Sequence, residues 1–124
     1  LELGVSTLTK SEKYLEEAVI EMYRRKGITN FRVFSNDIDW CVSFFSTFPN
    51  KFIFDYVKGN SESVDLQLGS YCEHQILSNG TFALWQYYLN QNPDKICIAP
   101  ARWFGRYLSS HVTDDLYPPN SIKL

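Results

Sequence analysis

The segment Lys51-Phe52-Ile53-Phe54-Asp55-Tyr56-Val57-Lys58 constrains the fold more than any other stretch of this chain. Alternate side chains of an extended strand face opposite ways. Phe52, Phe54 and Tyr56 therefore share one face, and Ile53, Asp55 and Val57 share the other. A face carrying large rings must pack against a second layer, so this strand predicts a sheet with a cover.

A cover is encoded upstream. Tyr14, Leu15, Ala18, Val19, Met22 and Tyr23 recur at helical spacing and make one apolar stripe over residues 10–26. Thr9-Lys10-Ser11-Glu12 has the pattern of a capping box. Glu12, Glu16, Glu17 and Glu21 precede Arg24, Arg25 and Lys26, the order that a helix dipole favours, and Gly27 supplies a left-handed stop.

Further strands are expected at Phe31–Ser35, Trp40–Phe45 and Val64–Leu68, with a short extended piece within Tyr71–Leu77 as a fifth. Turns at Asn36–Asp39 and Phe48–Asn50 and a polar loop at Gly59–Ser63 separate them. Such short connections favour antiparallel neighbours. Helical spacing returns at Phe82, Leu84, Trp85, Tyr88 and Leu89. Pro100 then fits the first turn of a last helix bearing Trp103, Phe104, Tyr107 and Leu108. From Val112 the period is lost, so residues 112–124 read as an extended tail.

The expected architecture is a single α+β domain over residues 1–124. It has an N-terminal helix, an antiparallel sheet of four to five strands and two C-terminal helices, with a single layer of helices on the sheet. Leu15, Val19, Met22, Phe52, Phe54, Leu66, Trp85, Leu89, Trp103 and Phe104 make its expected core. With 124 residues, 44% of them apolar, the chain has enough material for that core. It contains no apolar run of membrane-spanning length and no signal-like start. Cys41, Cys72 and Cys97 form an odd set without metal or redox spacing, which reads as reduced, buried thiols in a cytoplasmic protein. Asn79-Gly80-Thr81 reads as a turn rather than a glycan acceptor.

The search for chemistry finds little. Cys72-Glu73-His74 puts a thiol near an imidazole, and His111 with Asp114 lies further on, but residues two apart on a strand do not make a nucleophile–base pair. His74, His111 and Lys95 are formally enough for phosphodiester cleavage, as they would be in any chain with two histidines. Asn36, Asp37 and Asp39 are oxygen ligands by type. A calcium loop opening at Asn36 would need glycine where Cys41 stands and glutamate where Thr47 stands. No catalytic residue, cofactor or metal ligand is therefore expected. Alternating aromatics resemble the stacking platform of an RNA-recognition sheet, but a net charge of −2 opposes phosphate binding.

Val42-Ser43-Phe44, Asn50-Lys51-Phe52-Ile53-Phe54 and Val64-Asp65-Leu66-Gln67-Leu68 resemble the central strands of small bacterial immunity proteins, which neutralise contact-dependent or other polymorphic toxins. The resemblance implies a non-enzymatic antitoxin in the cytoplasm whose partner is a cognate toxin, many of them basic nucleases; no membrane partner is expected, and the acidic balance counts against nucleic acid. Carboxylates at Asp37, Asp39, Asp55, Glu62, Asp114 and Asp115, with Tyr71 and Tyr117 as anchors, are the candidate partner-binding residues. Two rival readings stand beside it. One is a small enzyme acting through His74 or His111. The other is an adaptor that takes a peptide or single-stranded nucleic acid on its aromatic face.

Overall fold

The computed structural model describes the backbone of residues 2–5 and residues 12–77, 82–100, 118 and 121–124 in full. Along the chain run β1 (Glu2–Val5), α1 (Glu12–Lys26), β2 (Asn30–Ser35), α2 (Ile38–Phe45), β3 (Ile53–Val57), α3 (Glu62–Ser70), β4 (Gln75–Ile76), α4 (Phe82–Leu89), β5 (Cys97–Ala99) and β6 (Ile122–Lys123). The strands form one sheet in the order β3-β2-β1-β4-β5-β6, and every neighbouring pair is parallel. The mixture of helices and sheet is as expected; the antiparallel pairing is not.

The reversal has a local cause. The segments expected as strands at Trp40–Phe45 and Val64–Leu68 fold as α2 and α3. These helices supply the long crossovers that parallel neighbours require. Asp37 caps α2, its carboxylate accepting from Trp40 N at 3.2 Å, and Ser61 caps α3, its Oγ accepting from Val64 N at 3.3 Å. Within α2, Trp40 and Phe44 stack at 5.2 Å, four residues apart, while Cys41 and Phe45 point inward. Caps and i,i+4 pairs outweigh the strand preference of these aromatic and β-branched residues.

Helices cover both faces, which corrects the expected single layer. On one face Leu15, Val19 and Met22 of α1 and Cys41 and Phe45 of α2 pack on Phe31, Val33, Phe52, Ile76 and Ile98. On the other, Ala83 and Leu84 of α4 pack on Leu77, Cys97 and Ala99. The aromatic strand is covered as its alternation predicts. Phe54 stacks on Phe45 at 4.5 Å, and Tyr23 meets Phe52 edge-on at 5.5 Å. Gly27 ends α1 with φ 68°.

The expected core needs revision at α4. Trp85 and Leu89 are 58% and 48% exposed, because the helix buries Ala83, Leu84 and Gln86 instead. Leu66 is half-buried. Trp103, Phe104 and the predicted last helix lie outside the described residues. So does most of the predicted tail, whose described end forms β6 against β5. Among the described residues no helix is long and apolar enough to cross a membrane.

Candidate functional site

In a sheet whose strands are all parallel, every strand ends at the same edge. After β1 the chain moves outward to β2 and β3, then returns through α3 to β4 on the other side of β1. The winding therefore reverses between β1 and β4. In open sheets of this kind ligands bind outside the carboxyl ends of the strands, at the reversal.

The described part of that edge is polar. Ser35 ends β2 and Asn36-Asp37 follow it, and Lys58-Gly59-Asn60-Ser61 follow β3. The first turns of α2 and α3 open there, so both helices present free amides and the positive ends of their dipoles. Gly59, at φ 83°, makes the left-handed bend between β3 and α3. Ser35 Oγ accepts from Asp37 N at 3.0 Å, which holds Asp37 in position to cap α2. Beside the reversal, the Tyr14 hydroxyl donates to Leu77 O at 2.5 Å, with Ile98 O 3.2 Å away, and ties α1 to the ends of β4 and β5.

Cys41 lies just below this edge. Burial pushes its thiol up, a hydrogen bond with Ser35 works the other way, and the charge of Asp37 raises it again. The thiol therefore stays protonated at neutral pH and is no nucleophile. Burial likewise raises Tyr56, with a contribution from Cys41.

The amino edge is a satisfied polar scaffold. His74 is 3% exposed, and its Nδ1 accepts from Ile96 N at 2.9 Å. Burial holds its pKa below the usual 6.5. Gln75 Nε2 donates to Gly69 O and Cys72 O, and Asn90 Nδ2 donates to Glu73 O and Gln75 Oε1. Lys95 Nζ donates to Tyr87 O at 2.8 Å and Asn90 O at 2.9 Å, closing the end of α4. His74, weighed from sequence as an acid–base group, is held here as a structural acceptor, and Lys95 is a helix cap. His111 lies outside the described residues.

The residues proposed for partner binding separate into groups. Asp37 is half-buried at the cap of α2, Asp39 is exposed in its first turn, and Glu62 is exposed at the start of α3, so these three share the carboxyl edge. Asp55 and Tyr71 line a recess on another part of the surface. Asp114, Asp115 and Tyr117 lie outside the described residues. Sequence reasoning passed over Ser35, Lys58, Asn60 and Ser61. Their signal was a polar loop between a strand and a helix, legible only once α3 is recognised as a helix. Among the described residues no group of His, Cys, Asp or Glu is arranged to hold a metal ion.

Comparison with known proteins bears on this edge. The family described as Glycosyl transferase family 11 matches residues 7–122. The O-antigen biosynthesis glycosyltransferase WbnK of Escherichia coli is 30% identical over 102 residues, 82% of this chain and 34% of that protein. The alpha-1,2-colitosyltransferase of Escherichia coli is 31% identical over 97 residues, 77% of this chain and 33% of that protein. The chain thus spans about a third of the length of the curated relatives it matches. No solved structure matches it.

These matches overturn the immunity-protein reading. That likeness treated residues 42–44, 50–54 and 64–68 as consecutive strands, whereas the first and last of these lie in α2 and α3. The non-enzymatic antitoxin with a toxin partner is replaced by a family of transferases, whose partners are substrates. The enzymatic alternative was the nearer one.

Proposed function

Because the chain belongs to glycosyltransferase family 11, we propose that it supplies the part of a glycosyltransferase that holds a nucleotide-activated sugar donor, bound at the carboxyl edge of the sheet. The observation that carries this reading is the strand order β3-β2-β1-β4-β5-β6, with its reversal between β1 and β4. A nucleotide fits such an edge for electrostatic reasons. Its diphosphate meets the amides and dipoles opening α2 and α3 and the ammonium group of Lys58. Asp37, just beyond β2, stands where doubly wound folds place the acid that accepts from a ribose hydroxyl. Its Oδ1 is engaged with Trp40 N, so the other carboxylate oxygen takes that role.

In the transfer, an acceptor hydroxyl oxygen bonds to the anomeric carbon as the bond from that carbon to the diphosphate breaks. The diphosphate leaves with the electron pair, and the hydroxyl proton passes to a base. Positive ends aimed at the leaving diphosphate favour the transition state, in which its charge grows. The names of the two relatives support a saccharide of the O-antigen kind as acceptor. The buried thiols of Cys41, Cys72 and Cys97 support a cytoplasmic setting.

The test is a titration of the chain with GDP, UDP, ADP and dTDP, followed by amide NMR. One nucleotide should bind and shift the amides of Asp37, Lys58 and Ser61. Failure of all four to bind, or shifts confined to the amino edge, would refute the reading.

A further inference from the structure

The recess that brings Asp55 and Tyr71 together lies away from the carboxyl edge. Asn30 and Arg32 at the start of β2, Asp55 on β3 and the Tyr71-Cys72-Glu73 turn between α3 and β4 enclose ≈ 230 Å³. Arg32 and Asp55 are register partners on adjacent strands, and both are exposed. They nevertheless form no ion pair. Among the described residues the ion pairs run from Glu21 to Arg24 and Arg25. Glu73 is exposed and equally unpaired. A guanidinium and two carboxylates therefore surround one small space with their hydrogen-bonding capacity open.

An aromatic ring stands at the same recess. Tyr71 is 72% exposed, and its hydroxyl accepts from Gln67 Nε2 at 3.0 Å, which fixes the ring against the last turn of α3. The turn beneath it is rigidly held. Glu73 O accepts from both Asn90 and Asn92 at 3.0 and 3.1 Å, and Cys72 O accepts from Gln75 at 3.3 Å. A locked backbone that presents an exposed ring and an unpaired carboxylate is preorganised for a ligand.

We propose that this recess is a saccharide-binding site separate from the donor edge. One face of a pyranose ring is lined with C–H groups and packs on Tyr71. Its vicinal hydroxyls donate to the carboxylates of Asp55 and Glu73 and accept from the forked guanidinium of Arg32. One positive against two negative side chains repels phosphates and suits a neutral polyhydroxylated ligand. The volume lies below the roughly 300–1,000 Å³ of pockets that enclose drug-sized molecules, so the site takes a single sugar unit. From Arg32, β2 runs on to Ser35, so the recess lies roughly 10 Å from the carboxyl edge at the rise of a strand. The bound sugar is thus a remote unit of an extended acceptor, and holding it raises the local concentration of the reacting end. The choice of a saccharide rests on the transferase reading; the open recess does not.

The experiment is saturation-transfer NMR on the 124-residue chain, with the methyl glycosides of galactose, glucose and N-acetylglucosamine as probes. The ring protons of at least one glycoside should receive saturation. Tyr71→Ala and Arg32→Ala should each weaken its binding about fivefold, with the melting temperature unchanged because both side chains are exposed. Tyr71→Phe, which keeps the packing face, should retain most of the signal. No saturation of any glycoside, a signal indifferent to Tyr71→Ala, or displacement of the glycoside by a nucleoside diphosphate would each overturn the proposal. Failure of the donor reading shows separately, as absence of nucleotide binding in a titration that contains no glycoside.

Discussion

Gln86 crosses Gly69 so closely that a β-carbon on the glycine would stand 2.0 Å from Gln86 Nε2 and 2.3 Å from its Cδ. Here α3 and α4 meet, and the side chain that fills the gap is 0% exposed. Its Nε2 donates to Asp65 O at 3.0 Å, so it is not free to swing away. Gly69→Ala improves helix propensity by about 1 kcal/mol, but the added methyl forces the two helices apart, at a cost of about 1–3 kcal/mol or more. A net fall in denaturation midpoint is expected. The double variant Gly69→Ala/Gln86→Ala should be more stable than the sum of its single changes implies, a coupling that a double-mutant cycle measures directly.

His74 makes stability depend on pH in a definite direction. Its folded-state pKa lies below the ordinary 6.5, chiefly through burial. Above the unfolded pKa both states carry neutral imidazole, and the contribution is fully present. As pH falls below about 6.5 the unfolded chain takes up the proton first, so stability declines until the folded pKa is reached. The slope from this one group is at most about 1.4 kcal/mol per pH unit. Urea denaturation at a series of pH values between neutral and mildly acidic should show it. His74→Gln, whose side-chain oxygen is offered to Ile96 N in place of Nδ1, should flatten that part of the profile.

Much of the fold was legible because periodicity reports burial. The stripe of α1 and the alternation of β3 each face a single layer, so their patterns are clean. The α2 segment was misread because Trp40, Val42, Phe44 and Phe45 have strand-like composition, and the capping carboxylate of Asp37 looks like a turn residue until the helix is seen. The strands β4 and β5 were harder for another reason. Ile76 and Leu77 pack into opposite layers, as do Ile98 and Cys97, so strands buried on both faces lose their alternation. Missing β5, and reading α2 and α3 as strands, hid the βα order, and with it the edge where the candidate site lies. No residue motif could replace that information, since the argument for the edge depends on winding rather than on any one side chain.

The two faces of the sheet can be told apart by substitution. Val19 is 0% exposed at the centre of the α1 layer. Val19→Asp should bury an unpaired carboxylate and cost several kcal/mol, seen as loss of the cooperative melt. Trp85, expected from sequence in the core, is 58% exposed. Trp85→Ser should shift stability by less than about 1 kcal/mol. A large loss on removing Trp85 would mean that α4 turns its other side to the sheet.

Asp37 has a role in the fold and a second, proposed one in the donor site, and substitutions can divide them. Its carboxylate caps α2 through Trp40 N. Asparagine caps a helix about as well as aspartate, whereas alanine forfeits about 1 kcal/mol. Asp37→Ala should therefore lower both stability and nucleotide affinity. Asp37→Asn should leave the melting temperature nearly unchanged, but it exchanges a charged acceptor for a neutral amide where the ribose hydroxyl is bound. Hydrogen bonds to charged groups exceed neutral ones by about 1 kcal/mol, so affinity should fall about fivefold in calorimetric titration. Asp39→Asn, in the exposed first turn with no cap to lose, serves as the neighbouring control and should do less. If Asp37→Asn binds nucleotide as tightly as the parent chain, the carboxylate caps a helix and does nothing for the ligand.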